Sequence, residues 1–192
     1  MGCRFLVLGL EPELASQLAP EPPTTTKNQE PRTMIPYRLH QTPLGTLRLC
    51  AENGALIGAH FVGQKHDFVL DAGFVELPDD ALLRAAGEQI DAYFNHHRRS
   101  FELPLAPRGT AFQRMVWDTL ASIACGQTLS YGELALRVGK PSGVRAVAAA
   151  VGRNPLSIII PCHRILGRDG SMTGYAGGIE RKTALLAIES HR

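Results

Sequence analysis

The residues best suited to chemistry are Cys162 and His163, which are followed by Arg164. A cysteine thiolate is a strong nucleophile, a neighbouring histidine can take its proton, and a nearby cation favours the thiolate over the thiol. An ordinary cysteine has a pKa of about 8.5, so a decrease of about 1.5 units would make the thiolate a major species near neutral pH. The sequence therefore predicts a nucleophile at Cys162. The alternative is a structural cysteine, buried beside a solvated His-Arg pair.

Residues 158–160 are three consecutive isoleucines, and Pro161 separates them from the cysteine. β-branched residues favour strands, and a proline ends a strand because it has no N–H for the ladder. We therefore expect a short buried strand that holds Cys162 rigidly at its end.

Two short helices are predicted upstream of the cysteine. Ser130 and Glu133 form a capping-box pattern that starts the first helix, which runs through Val138 and is stopped by Gly139. A proline and a serine start the second helix, over residues 141–151. Two short helices joined by a glycine-containing turn are typical of a helix-turn-helix, although this pattern alone is weak evidence for DNA binding.

The charge of the chain is unevenly distributed. Residues 104–192 contain 11 Lys and Arg against 5 Asp and Glu, a net charge of +6, whereas residues 1–103 contain 9 against 13, a net charge of −4. The basic half is the one that contains Cys162 and the two helices. This distribution is expected if that half meets a phosphate backbone.

The second helix has almost no long side chains apart from Arg145, because alanines occupy positions 146 and 148–150. A helix that reads base edges in the major groove usually presents Asn, Gln, Arg or Lys. An alanine-rich face can be buried in the core, which we expect for one side of this helix. On the other side, small residues would allow close approach to a shallow surface, with Arg145 entering the base stack.

The length of 192 residues suits one domain or two small ones. We expect a disordered, proline-rich extension over residues 1–34, a sheet-and-helix domain over 35–103, and a second domain over 104–192. No apolar run approaches the roughly 20 residues of a membrane span, and residues 1–10 do not resemble a signal peptide. The cysteines are widely spaced and lack a Cys-x-x-Cys pair, which favours a reducing compartment. A cytoplasmic location is therefore predicted.

The first domain shows strand-like patterns at residues 37–40, 44–50 and 55–61, with a hairpin signal at Asn53-Gly54. From residue 78 the apolar spacing becomes helical. The stripe consists of Leu82, Leu83, Ala86, Ile90, Tyr93 and Phe94. The second domain opens with another capping box, Thr110 and Gln113, before a further helix.

Several of these segments together resemble one family, the O6-alkylguanine-DNA alkyltransferases, or methylated-DNA–protein-cysteine methyltransferases, of the bacterial Ogt-like kind. The Pro-Cys-His-Arg signature is at residues 161–164, and the resemblance extends from about Thr110 to the C-terminus. The other matching segments are Ser130-Tyr131-Gly132-Glu133, Arg145-Ala146-Val147, Arg153-Asn154-Pro155, Gly174-Tyr175-Ala176-Gly177-Gly178 and Leu185-Leu186-Ala187-Ile188-Glu189.

The resemblance implies an α/β fold, with a small N-terminal antiparallel sheet plus helix (ribonuclease H-like) and a mostly helical, winged helix-turn-helix-type C-terminal domain. It implies direct-reversal DNA repair, in which Cys162 accepts a methyl or small alkyl group from O6 of guanine or O4 of thymine. The partner is double-stranded DNA, the protein is a monomer with no membrane contact, and no cofactor or metal is required. Each molecule reacts once, because a thioether has no ready hydrolytic route.

The resemblance also assigns roles to individual residues. Glu189 holds His163, which contacts Cys162 through a water molecule, and Asn154 is a hinge. Arg145 fills the space left by a flipped nucleotide, and Tyr131 presses on the target phosphate and lines the base pocket. The remaining predicted DNA or substrate contacts are Arg164, Tyr175, Ala148, Ala149 and Gly177.

Two other functions are compatible with parts of the pattern. A cysteine hydrolase would pair Cys162 directly with His163 and would need an oxyanion hole, which nothing in the sequence predicts. A non-catalytic damage sensor would use the same helix-turn-helix, but relatives of that kind lack the nucleophilic cysteine that this chain has.

Overall fold

A sheet and one helix form the first part of the computed structural model, which describes residues 34–67 and 69–190. The elements are β1 (Ile35–Thr42), β2 (Gly45–Glu52), β3 (Ala55–Phe61), β4 (Phe74–Glu76) and α1 (Ala81–Phe94). The predicted disordered extension lies outside the described residues except for Met34. Within the described part of the chain, no helix is both long and apolar enough to cross a membrane.

The sheet has the strand order β3-β2-β1-β4, and its first three strands are antiparallel neighbours, as predicted. Asn53 (φ 50°) and Gly54 (φ 75°) form the turn between β2 and β3. A two-residue hairpin of this kind requires positive φ at both positions, which asparagine and glycine tolerate. The short strand β4 was not predicted, and it pairs with β1 in parallel. The sheet is therefore mixed, not wholly antiparallel.

Helix α1 packs against β1, β2 and β3. Asp80 caps the helix, its side chain accepting a hydrogen bond from the N–H of Leu83. The buried face consists of Leu83, Ala86, Gly87, Ile90 and Tyr93. Burial of each large apolar side chain of this kind stabilises the fold by about 1.5–3 kcal/mol, so this face holds the helix on the sheet.

The second part of the chain is mostly helical. Its elements are α2 (Ala111–Ala121), β5 (Leu129–Ser130), α3 (Tyr131–Arg137), α4 (Val144–Val151), a single 3-10 turn (Cys162–Arg164), β6 (Ile165–Leu166) and α5 (Ile179–Ser190). Both predicted capping boxes are present, at Thr110 with Gln113 and at Ser130 with Glu133. The indole N–H of Trp117 on α2 donates to the carbonyl of Ala150 on α4 (2.9 Å), so α2 fixes the position of α4.

Helices α3 and α4 form the predicted helix pair, but α4 begins later than expected. Gly139 (φ 72°) stops α3, as predicted. The N–H of Gly143 then donates to the carbonyl of Lys140 (2.8 Å), which closes a turn. Pro141 is at the second position of this turn, where its fixed φ is favourable, so the helix begins at Val144 and not at residue 141.

Residues 158–160 form turns, so the strand predicted before Cys162 is wrong. Ile158 has a positive φ of 71°, which is incompatible with a strand. The N–H of Ile160 donates back to the carbonyl of Leu156 (2.8 Å), and the N–H of Cys162 to that of Ile160 (2.8 Å). The isoleucines are buried, as expected, but the chain around them is tightly folded.

The outer edge of β3 is covered by two segments of the second part. The N–H of Ala59 donates to the carbonyl of Pro155, and the carbonyl of Ala59 accepts from the N–H of Ser157, both at 2.8 Å. Residues 104–106 pair with Leu56 in the same way. The segment that leads to Cys162 is therefore attached to the N-terminal sheet.

Candidate active site

Cys162 lies at the start of the 3-10 turn, where it is 5% exposed. Asn154 binds it directly: its Nδ2 donates to Cys162 Sγ (3.0 Å) and to the carbonyl of Ile160 (2.8 Å). The Oδ1 atom of the same side chain accepts from the N–H of Leu156 (3.0 Å). One amide side chain thus holds the turn in shape and donates to the thiol.

Burial raises the pKa of the Cys162 thiol, and this effect outweighs the hydrogen bond from Asn154, the local backbone N–H groups and the charge of Lys182, all of which act in the opposite direction. The decrease expected from the sequence is therefore wrong in direction. The resting site contains a thiol, so its proton has to leave as the cysteine reacts.

His163 is completely buried, and its Nε2 lies 3.0 Å from Glu189 Oε1. Burial lowers the pKa of His163, although the contact with Glu189 opposes this change. The ring is therefore neutral at neutral pH. If Nε2 carries the proton that bonds to Glu189, Nδ1 is left as an acceptor, and this buried atom has no partner among the described residues.

The donors around Glu189 determine this tautomer. Its carboxylate accepts hydrogen bonds from the hydroxyl of Tyr93 (2.9 Å), the N–H of Gly126 (3.1 Å) and the guanidinium of Arg164 (2.7 and 2.9 Å). Burial opposes ionisation, but hydrogen bonds from His163 and Arg164 keep the pKa of Glu189 well below its ordinary value. Glu189 is therefore an anion that only accepts, and Nε2 of His163 must donate to it.

The structure corrects the role predicted for Arg164. Its side chain is buried, and besides the two bonds to Glu189 its Nη1 donates to the carbonyl of Ile123. A guanidinium held in this way cannot reach a DNA backbone. Arg164 instead neutralises Glu189 and joins the active-site turn to the segment after α2.

Lys182 is a site residue that the sequence reasoning missed. It is completely buried on α5, and its Nζ donates to the carbonyls of Ile165 and Thr173. Burial lowers its pKa, whereas a negative charge on Cys162 raises it, so Lys182 lies within electrostatic reach of the Cys162 sulfur. A signal was available, because Lys182 shares the buried face of α5 with Leu185 and Glu189.

A cavity of about 480 Å³ is lined by residues of α3, of α4 and of the segment 174–176, and Cys162 is not among its lining residues. Tyr131 and Tyr175 line it, together with Ala148 and Ala149 of α4. Burial raises the pKa of both phenols, and the charge of a Cys162 thiolate raises it further, so both rings lie within electrostatic reach of Sγ. The remaining lining residues are Lys65, His66, Gly152, Arg153, Gly174 and Ala176.

The hydroxyl of Tyr131 donates to the carbonyls of Thr173 (3.3 Å) and Gly174 (3.2 Å), so it connects α3 to the glycine-rich loop, residues 174–178. Gly174 has φ 59°, and a Cβ there would meet the Tyr131 hydroxyl at 3.1 Å. A glycine is therefore required where the loop passes the tyrosine.

Two other predicted contact residues lie outside this lining. Arg145 is exposed in the first turn of α4, on the surface that continues from Ala149. Gly177 packs behind the cavity wall, since a Cβ there would meet the ring of Tyr175 at 2.7 Å and that of Phe61 at 3.3 Å. The predicted substrate contact at Gly177 stays a prediction, and the packing of these two rings leaves no room for a Cβ at this position.

Fold and site together define a class: a protein with a buried cysteine nucleophile and a histidine–carboxylate pair, on a helix-turn-helix scaffold beside a small mixed sheet. The family models agree with this description. Residues 35–107 match the 6-O-methylguanine DNA methyltransferase ribonuclease-like domain, and residues 111–191 match the DNA binding domain of the same family. The chain belongs to the 6-O-methylguanine DNA methyltransferase family.

Individual relatives cover most of the chain. The methylated-DNA–protein-cysteine methyltransferase of Methanosarcina barkeri is 41% identical over 155 residues, covering 81% of this chain and 97% of the relative. The protein of that name from Mycobacterium bovis is 41% identical over 159 residues, covering 83% and 94%. The crystal structure of Mycobacterium tuberculosis O6-methylguanine methyltransferase is 39% identical, with a TM-score of 0.75 over 83% of this chain and 94% of that one. Mycobacterium tuberculosis OGT in complex with DNA is similar over 81% and 93%, with 40% identity and a TM-score of 0.75.

Proposed function

We propose that the protein repairs alkylated DNA by moving an alkyl group from O6 of guanine onto Cys162. The observation that carries the proposal is the set of groups around Cys162. Asn154 donates to its sulfur, the pair His163 and Glu189 follows it, and the two tyrosines that line the cavity lie within its electrostatic reach. The family to which the chain belongs, and relatives named for this reaction, support the same assignment.

The reaction forms one bond and breaks one. The sulfur of Cys162 attacks the saturated carbon attached to O6, and the electrons of the C–O bond pass to the purine. A water molecule passes the thiol proton to Nδ1 of His163, which has no other partner among the described residues. The guanine takes a proton from solvent at N1 as it leaves, and the imidazolium later returns its own proton to solvent. Glu189 remains ionised throughout and stabilises the imidazolium that forms. No cofactor takes part. The thioether at Cys162 cannot accept a second alkyl group, so each protein molecule reacts once.

Access to the substrate requires that the nucleotide leave the duplex, since a buried thiol cannot reach a stacked base. The exposed alanines of α4 allow close contact with a groove, and Arg145 at its N-terminal end takes the place of the extruded base. Tyr131 and Tyr175 then border the base in the cavity. O4-alkylthymine presents the same chemistry, an alkyl group on an exocyclic oxygen, and is proposed as a second substrate.

The protein is proposed to act as a monomer on double-stranded DNA. A cytoplasmic location fits the wide spacing of the cysteines and the lack of a Cys-x-x-Cys pair.

The test is to incubate the protein with an equimolar duplex containing O6-methylguanine and to weigh the intact protein. One added methyl group, located by peptide mapping on Cys162, is expected. The variant Cys162→Ser should gain none, whereas the control Cys125→Ser should gain the group at the normal rate. Binding to the duplex without a gain in protein mass would indicate a damage sensor. Removal of more than one methyl group per protein molecule would indicate a hydrolase. A methyl group on Cys125 would show that the nucleophile is not Cys162.

A further inference from the structure

The loop after β3 presents two exposed side chains between two anchored ones. Gln64 is buried, and its Oε1 accepts hydrogen bonds from the N–H of Phe61 (3.0 Å) and the hydroxyl of Ser157 (3.2 Å). Three residues later, Asp67 accepts from the N–H of Gly63 (3.1 Å). These contacts attach the loop at both ends.

Lys65 and His66 are the two residues between these anchors, and both are exposed. Both line the cavity, together with Ala148, Ala149 and Arg153 from the region of α4. The backbone N–H of Lys65 donates to the carbonyl of Ala176 in the glycine-rich loop (3.1 Å). A loop of the N-terminal part of the chain therefore forms one wall of the cavity.

The charge of Lys65 is not cancelled locally. Within residues 34–67 and 69–190, no carboxylate lies within ion-pair distance of its ammonium group. The nearest acidic residue in sequence, Asp67, is paired with Arg48 at 2.8 Å. Residues 1–103 carry a net charge of −4, so this lysine is a cation in an acidic half of the chain.

We infer that Lys65, with His66 beside it, is a phosphate-binding site contributed by the N-terminal part. It would contact the backbone of the strand that carries the extruded nucleotide, opposite the surface of α4. The inference rests on the proposed function for the position of that nucleotide. When the base leaves the stack, its phosphate moves with it, and a lysine that lines the cavity can bind this phosphate. Such a contact positions the protein along the DNA strand without distinguishing one base sequence from another.

The test measures equilibrium binding of a duplex containing O6-methylguanine in a Cys162→Ser background, which prevents reaction, over a series of salt concentrations. One phosphate contact contributes about 0.9 to the slope of log K against log salt, so Lys65→Ala should reduce the slope by about that amount and weaken binding several-fold at low salt. Lys65→Arg should retain the salt slope and the affinity of the unsubstituted protein. Arg84→Ala is the matched control, because it removes one exposed charge from α1 outside the cavity.

A second measurement uses Lys65→Ala with Cys162 intact and free O6-benzylguanine, which has no backbone. Its transfer rate should fall by a smaller factor than its affinity for the duplex, because the free base makes no phosphate contact. An unchanged salt slope, an equal change in Arg84→Ala, or an equal fractional loss with the free base would each overturn the inference. Failure of the proposed function would look different, since the unsubstituted protein would then gain no alkyl group while the binding measurements could still be made.

Discussion

The variant Asn154→Asp is expected to damage the chemistry of Cys162 more than the fold around it. Aspartate has the same shape, and its Oδ1 can still accept from the N–H of Leu156. The second oxygen, however, replaces the Nδ2 that donates to Cys162 Sγ (3.0 Å) and to the carbonyl of Ile160 (2.8 Å). Two contacts therefore change from attractive to repulsive.

The size of the effect follows from these two contacts. A hydrogen bond to a charged group contributes about 1.5–3 kcal/mol, and about 1.4 kcal/mol corresponds to a factor of ten in rate. Loss of the bond to the developing thiolate should therefore slow transfer at neutral pH by roughly 10- to 150-fold. The carbonyl of Ile160 keeps its second donor, the N–H of Cys162, so loss of the bond from Asn154 should lower the free energy of unfolding by about 0.5–1.5 kcal/mol.

The assay is single-turnover transfer from free O6-benzylguanine as a function of pH. Removing the Asn154 donor should raise the pKa of Cys162 further, so the rate deficit should be largest at neutral pH and should shrink as alkali forms the thiolate unaided. Thiolate absorbance, with Cys162→Ser as the baseline, measures the same pKa independently. An identical thiol titration in Asn154→Asp and the unsubstituted protein would refute the reasoning.

Two further predictions concern acid stability and base extrusion. Burial lowers the pKa of His163, so the stability linked to its neutral ring is complete above its unfolded pKa and is lost as the pH falls below about 6.5. Hydrogen bonds lower the pKa of Glu189, so the stability linked to its carboxylate is lost as the pH falls below about 4.3. Urea midpoints should fall over these ranges, and a midpoint that rises on acidification would contradict the assignment. Arg145→Ala should slow repair of a duplex lesion much more than transfer from free O6-benzylguanine, because only the duplex requires base extrusion. Equal losses at saturating DNA would show that Arg145 supports the cavity instead.

Local sequence patterns predicted the scaffold well, because caps and tight turns are determined by a few adjacent residues. The capping box at Ser130 and the hairpin at Asn53-Gly54 are examples, and both are present. Residues 158–160 show the limit of this reasoning. Their β-branched side chains favour a strand, but the hydrogen bonds of Asn154 fold the segment into turns.

The errors in the site have one physical origin, which is that burial is a property of the whole fold. Arginine is a residue type typical of DNA contacts, yet the side chain of Arg164 is buried and donates to Glu189. The pKa of Cys162 was expected to decrease because a cation follows it in sequence, whereas desolvation by the surrounding chain raises it. Lys182, which lies within electrostatic reach of the Cys162 sulfur, is 20 positions away along the chain.

The hydrogen bond from Tyr93 to Glu189 links two residues that are 96 positions apart in the sequence. Tyr93 belongs to α1 of the N-terminal part, and Glu189 belongs to the last helix. A gene encoding only the second part would therefore produce a carboxylate that lacks one of its donors. A chimera built from two relatives keeps this contact only if the residue at position 93 supplies a hydroxyl.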